Sequence, residues 1–338
     1  MTKVSQSTHF KDHPYILAFL TSCLLILCFP APSTGFLGWI ALIPLLYSLR
    51  HARSESQALL AGYLAGFMFF LISAHWFTYV HFAAWTATAL FEAVFFMLFA
   101  WFVYHANGFR SRLLRIVWIA AAWLTVEILR AEIPVMGFGW NLLAYSQSDY
   151  LPLIQSASLV GAYGLGFLMA LVNACVAEMI GEVETVEVCV RTAPDRASAA
   201  KCSDARFKAG LTLMAVLVVM LVAVPILHGQ RRLAKSDRES PSIRISLIQG
   251  NIPQELKWNS DIRDKILDTY LKLTEIAQYD QPDIAIWPEA AFPGYFNQDE
   301  NADKVHDLGH RLQLPMLIGS CHLEGIDAAY NSAYLLDG

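Results

Sequence analysis

Glu289 stands in the stretch WPEAAFPG, directly after the apolar run DIAI. A strand that stops at Pro288 and then presents a carboxylate suits proton transfer. The position predicts a partly desolvated side chain, the condition that tunes a carboxylate toward general-base work. The bland alternative is a glutamate that caps the following turn or pairs with a lysine, because acids near strand ends mark sites only statistically. Three further ionisable groups, His75, Glu92 and Glu127, fall in or near apolar runs. A charge at mid-bilayer costs about 2.5–3.5 kcal/mol on insertion scales, so such residues often mark function. Bland readings exist here too. Glu127 and Arg130 are three apart and are expected to pair on one helix face. His75 and Trp76 precede FTYVHFAAW, which reads as an aromatic interfacial belt. Glu92 is expected about two turns from that edge, either in a structural pair or facing a wet cavity. Of the six cysteines, Cys23, Cys28 and Cys175 lie in apolar spans, Cys189 and Cys202 in a polar loop, and Cys321 near the C-terminus. No CxxC or metal-ligand spacing occurs, so neither zinc, another cofactor nor a disulfide framework is expected.

These residues need elements to hold them. The 338-residue chain is 56% hydrophobic and 16% charged, against about 45–50% and about 25% for a soluble domain. The excess is concentrated between residues 15 and 228, which predicts two domains: a membrane domain over 1–228 and an α/β domain over 229–338. A formal net charge of −5 and the lack of a basic stripe argue against nucleic acid as a partner. Spans of about 20 apolar residues are expected at seven places: 15–31, 36–50, 58–80, 84–106, 114–131, 153–180 and 209–228. The first two are short and separated by PAPSTG, and the first, preceded by Lys3 and Lys11, also reads as a signal peptide.

Loop charge sets the orientation. Lys3, Lys11, Arg50, Arg53, Arg110, Arg112 and Arg115 fall on one side, and Arg191, Arg196, Lys201, Arg206 and Lys208 join them. The opposite loops carry Arg130. Basic residues near span ends stay cytoplasmic, so the N-terminus is expected inside and everything after His228 outside. Arg231, Arg232 and Lys235 conflict with this locally. The outer loop VMGFGWNLLAYSQSDYLP is rich in glycine and aromatics. Trp140 and Tyr145 suit headgroup depth, either as simple anchors or as a lipid-facing lip.

After residue 229 the pattern changes. SIRISLIQGNIP alternates and then breaks at Gly250–Asn251, predicting a strand and a turn. Ile262, Ile266, Leu267, Tyr270 and Leu273 predict a helix over 259–278, capped by Asn259 or Ser260. PDIAIWPE reads as a buried strand, 300–313 as a helix, and LPMLIGSC and NSAYLLDG as strands. The order β-α-β-α-β-β is an α/β layered domain. Sites in such sheets gather at the carboxyl ends of strands, where Glu289 falls.

QGNIPQELKW (249–258), IAIWPEAAFP (284–293) and YNSAYLLDG (330–338) resemble the nitrilase-type carbon–nitrogen hydrolase domain. With WLTVEILR (123–130) and GFGWNLLAYSQ (137–147), the chain more specifically resembles the apolipoprotein N-acyltransferase family over essentially its whole length. The resemblance implies a polytopic α-helical membrane domain of about seven helices followed by a partial nitrilase-like α-β-β-α sandwich. It implies a bacterial inner-membrane enzyme with a cytoplasmic N-terminus and a periplasmic C-terminal domain. The family uses a Glu-Lys-Cys triad in which Glu289 matches the general base, and Trp258 matches a tryptophan near the site. The implied partners are membrane lipids, a phospholipid acyl donor and a diacylglyceryl-modified apolipoprotein acceptor.

The family's lysine and cysteine come after the strand matching 330–336, so this chain is expected to stop short of both and to be inactive alone. Cys321 precedes the lysine position and is expected to be a structural thiol. Gly139 stands where the loop motif has proline. Two alternatives remain: a membrane-anchored amidase or nitrilase-type hydrolase, and a non-enzymatic transporter or scaffold.

Overall fold

The computed structural model describes residues 13–29, 34–134, 136–195, 198, 202, 205–235, 242–253, 256–325 and 327–338. Lys3, Lys11, Arg196 and Lys201, counted above among the orientation charges, lie outside the described residues. So do Val135 of the outer loop and Gln254 and Glu255 of QGNIPQELKW. The chain divides into two compact units, Met1–Ser236 and Asp237–Gly338.

The first unit is helical. It contains α1 (Pro14–Cys28), α2 (Ile43–Arg50), α3 (Glu55–Ser73), α4 (Phe82–Ala106), α5 (Arg112–Glu132), the short α6 (Leu151–Ile154), α7 (Ala157–Thr192) and α8 (Ala205–Lys235). Among the described residues, four stretches are long and apolar enough to cross a membrane: α3, α4, α7 and residues Phe207–Lys235 of α8. Seven spans, the first two of them short, were expected. Helix α1 and the apolar stretch Gly35–Arg50 are shorter. The latter is a 3-10 turn (Gly35–Trp39) followed by α2. Helix α5 is 21 residues long, but Arg112, Arg115, Glu127, Arg130 and Glu132 dilute its apolar surface. The expected span at 58–80 ends at Ser73, and a 3-10 turn covers His75–Tyr79.

Close helix contacts follow from small residues. Gly62 and Gly66, spaced as GxxxG on α3, face α4; a Cβ on Gly62 would lie 2.4 Å from the Cβ of Ala100, and one on Gly66 would lie 2.7 Å from that of Phe96. Such spacing lets two backbones approach, which is how helices associate where lipid gives no hydrophobic drive.

Helix α7 overruns its expected end at residue 180 by twelve residues, through Thr192. EVETVEVCVRT contains neither glycine nor proline, and Glu187 pairs with Arg191 one turn on. Within the polar loop expected at 181–208, the residues through Thr192 and from Ala205 onward are helical. Its tip brings Cys189 and Cys202 to a Cα separation of 5.9 Å, and the two form a disulfide. This corrects the expectation of no disulfide, which rested on spacing alone. Near the same end, Glu178 of α7 is buried and receives Arg115 Nε at 3.0 and 2.9 Å, along with the guanidinium of Arg50.

The second unit carries β1 (Ile245–Leu247), α9 (Arg263–Ala277), β2 (Ile284–Ile286), α10 (Ala302–Leu312), β3 (Met316–Glu324) and β4 (Ala328–Leu336). The element order is the one the sequence pattern predicts. The sheet runs β1-β2-β3-β4; β1, β2 and β3 are parallel, and β4 returns antiparallel to β3. A parallel connection requires a crossover, and α9 and α10 supply the two. The core gathers Leu267, Tyr270, Trp287, Phe292, Met316 and Ile318.

Candidate functional site

Strand β2 aims its last residues at the site. Trp287 is buried; its backbone N–H bonds Leu317 at 2.8 Å, its indole N–H donates to Thr274 Oγ1 at 2.9 Å, and its ring packs at a tilt 5.0 Å from that of Tyr270. This fixes the chain just before Pro288. The turn that follows is tight. Ala290 has φ 46°, in the left-handed region, where a residue bearing Cβ is strained by about 1–2 kcal/mol. The Ala291 N–H bonds the Gly319 carbonyl at 2.9 Å, anchoring the turn to β3. Gly319 is required there: a Cβ would lie 2.1 Å from the Pro288 carbonyl oxygen.

Glu289 is presented at the apex and is exposed. This corrects the expectation of a partly desolvated carboxylate. The strand that precedes it is buried, but the turn lifts both Pro288 and Glu289 out of the packed layer. Two neighbours hold it. Asn331 of β4 donates its side-chain amide to Glu289 Oε1 at 2.6 Å, and Lys257 Nζ donates to the Glu289 backbone carbonyl at 3.0 Å. The expected bland pairing of the carboxylate with a lysine is thus absent among the described residues: the ammonium sits on the main chain, and an amide sits on the carboxylate. One carboxylate oxygen accepts from Asn331, and the carboxylate faces a cavity of about 260 Å³ that Gln249, Asn251, Lys257 and Tyr270 also line. The cavity opens beyond the carboxyl ends of β1 and β2, as sheet topology predicts. Burial raises the Tyr270 phenol above its ordinary range, while a hydrogen bond with the Gly250 backbone lowers it; burial is the larger effect.

Lys257 also lines a second, larger groove of about 540 Å³, together with Trp258 and Cys321. Trp258 is 60% exposed. Cys321 opens into this groove and is absent from the lining of the Glu289 cavity. The structure therefore joins Glu289 and Trp258 through Lys257. Asn331 and Lys257 were not singled out in the sequence, although both lie inside the quoted motifs YNSAYLLDG and QGNIPQELKW.

Trp140 and Tyr145 belong to the first unit. Trp140 is 57% exposed and packs its ring 5.2 Å from Trp76; Tyr145 is 49% exposed on a 3-10 turn, Leu143–Gln147. Buried charges pin their loop. Arg130 Nη1 donates to the Phe138 and Trp140 carbonyls at 2.7 and 2.8 Å, and Glu127 Oε1 accepts the Leu143 N–H at 2.7 Å. Arg130 interacts electrostatically with Glu127, as expected, and its ion pair is with Glu92 of α4, at 3.6 Å. Gln147 closes the far end of the loop, donating to Gly35 and accepting from Trp39. Among the described residues, no group of three His, Cys, Asp or Glu side chains is placed to hold a metal.

Residues 21–175 match the family model described as the apolipoprotein N-acyltransferase N-terminal domain. Curated relatives extend the match. An apolipoprotein N-acyltransferase of Geobacter metallireducens is 30% identical over 339 residues, covering 95% of this chain and 60% of the relative. Over most of its length the chain is similar to apolipoprotein N-acyltransferases. Members from Chlorobaculum tepidum and Gloeobacter violaceus, both 27% identical, cover 90% and 91% of this chain. The chain spans about 55–60% of the length of these three relatives. The matched stretch in the Geobacter family member extends well past the membrane unit, so the alignment reaches the unit that carries Glu289.

Proposed function

We propose that this chain supplies the membrane unit and the general base of an acyltransferase that moves a fatty acyl group from a phospholipid to the α-amine of a diacylglyceryl-modified N-terminal cysteine. The observation that carries this reading is Glu289, set on a left-handed turn beyond β2, fixed by Asn331 and Lys257, in a chain that also has four helices able to cross a membrane. The unit around it is read as part of an α-β-β-α sandwich of the nitrilase type. The protein is placed in the bacterial inner membrane, with a cytoplasmic N-terminus and the second unit on the periplasmic side.

The chemistry runs in two halves. Glu289 takes the proton of a cysteine thiol. The thiolate attacks the phospholipid ester carbonyl, a lysine ammonium steadies the oxyanion, and the lysophospholipid alcohol leaves with the proton. The acceptor amine then attacks the thioester, forming an amide and releasing the thiol. Neither the thiol nor the oxyanion lysine is assigned to residues 1–338: Cys321 opens into the groove away from Glu289, and Lys257 is bound to a main-chain carbonyl. The 338-residue polypeptide alone is therefore expected to leave its acceptor unacylated.

The test is a chimaera in which this chain replaces the matching part of the Geobacter relative, reconstituted with phospholipid and a diacylated lipopeptide. Acyl transfer is expected, and Glu289→Gln should slow it by at least about 10²-fold with an unchanged unfolding temperature. Transfer by the Glu289→Gln chimaera at near the parental rate, or any transfer by residues 1–338 alone, overturns the reading.

A further inference from the structure

The 540 Å³ groove beside the Glu289 cavity has a charge balance that points to an anion. Its lining holds two cations, Lys257 and Arg263, and one acid, Asp299. The acid is already engaged: it pairs with Arg263 and accepts the Asn301 N–H at 3.0 Å. Arg263 is engaged as well, donating to the Pro293 carbonyl. Lys257 is left with a neutral partner, the Glu289 carbonyl, and among the described residues it has no carboxylate within ion-pair distance. An ammonium with three donors and one occupied acceptor retains capacity for an anionic oxygen. Beside it stand two exposed amphipathic rings, Trp258 at 60% and Tyr295 at 40% exposure. Such rings favour the polar–apolar boundary of a lipid molecule.

We propose that Lys257 binds the phosphate group of a phospholipid, with Trp258 lying against the glycerol and first acyl carbons. This rests on the acyl-donor reading above and gives that donor a specific foothold. Lys257 lines both cavities. A phosphate held on its ammonium brings the attached glycerol esters to the wall that Glu289 shares, so the same side chain that fixes the turn also orders the substrate. The Arg263–Asp299 pair closes the other side of the groove and leaves Lys257 as the residue that discriminates charged from uncharged lipid.

The experiment measures binding, not transfer, on the 338-residue chain in detergent. Tryptophan fluorescence is titrated with dihexanoyl phosphatidylglycerol below its micellar concentration, with dihexanoylglycerol, and with inorganic phosphate. The phospholipid is expected to quench a component that Trp258→Phe removes. Lys257→Met should weaken binding at least tenfold, and Lys257→Arg should retain most of it, with all three variants still folded and unfolding cooperatively. Dihexanoylglycerol should bind at least tenfold more weakly than the phospholipid. Equal binding of charged and uncharged lipid, or Lys257→Met binding like the parent, overturns the proposal. Inorganic phosphate binding as tightly as the phospholipid also overturns it, by making the groove a general anion site. An inactive chimaera with intact lipid binding would count against the acyltransfer reading alone.

Discussion

Arg130 on α5 reaches Glu92 on α4 at 3.6 Å with both side chains buried, and the same guanidinium nitrogen holds the Phe138 and Trp140 carbonyls. One residue thus links two helices and the loop that carries the aromatic side chains. Removing one partner of a buried ion pair typically costs about 3–5 kcal/mol, because the other charge is left uncompensated. Arg130→Met is therefore expected to lower stability by about that amount and to expose the 136–150 loop to limited proteolysis. Glu92→Gln should cost less, since Arg130 keeps its two carbonyls. Denaturant titration of both variants and of the double variant checks this; losses that add without coupling would show that the pair is inert.

Asn331 is expected to act through Glu289. In the active chimaera, Glu289→Gln should lower transfer by about 10²–10⁴-fold, the usual contribution of a general base. Asn331→Ala should lower it by about tenfold, equivalent to about 1.4 kcal/mol, near the upper end for an ordinary hydrogen bond and just below the range for one to a charged group. The decisive measurement is the double variant. A role in holding Glu289 predicts that it is no slower than Glu289→Gln alone; a further loss would assign Asn331 some other task.

Gly319→Ala tests the turn. The added Cβ would meet the Pro288 carbonyl at 2.1 Å, and backbone cannot yield as a flexible side chain does. Overpacking of this kind costs about 1–3 kcal/mol. The expected outcome is a lower unfolding temperature together with loss of transfer, whereas Ala333→Gly, across the ladder from Gly319, should leave transfer nearly intact. Equal activity in both variants would show that the turn does not need its anchor on β3.

The Cys189–Cys202 pair reports on orientation. The bridge is closed in the structure, whereas the loop-charge rule puts the pair in the cytoplasm, where such a bridge is expected to be held open by reduction. In intact cells an impermeant maleimide should leave both cysteines unmodified, and after permeabilisation both should react without added reductant. A pair that reacts only after reduction would place this hairpin in an oxidising compartment and reverse the proposed topology.

Sequence reading reached the second unit well because its signals are local. Alternation in SIRISLIQ, helical spacing from Ile262 to Leu273 and the Pro288 stop all survive folding as β1, α9 and the end of β2. Glu289 was visible for the same reason. What escaped was set by contacts between distant segments. The exposure of Glu289 comes from a left-handed turn at Ala290, a residue that gives no sign of favouring one. The link of Arg130 to Glu92 escaped because Glu127 is near in sequence whereas Glu92 is near only once α4 and α5 pack. The overrun of α7 was hidden by its charges, which suggested a loop where i,i+4 pairing supports helix. The disulfide needed that overrun before its two cysteines could meet.

Glu178 is flanked by Arg50 and Arg115, two of the residues whose charge argues for a cytoplasmic side. Acidic residues contribute little to how a chain is threaded into the bilayer, so during insertion these arginines act as free positive charges. Once α2, α5 and α7 meet, the same charges close on one shared carboxylate in a three-residue clasp. The topological instruction and the structural bond are successive uses of one pair of side chains. Replacing Glu178 should accordingly spare threading and damage assembly, separating two steps that an arginine substitution would confound.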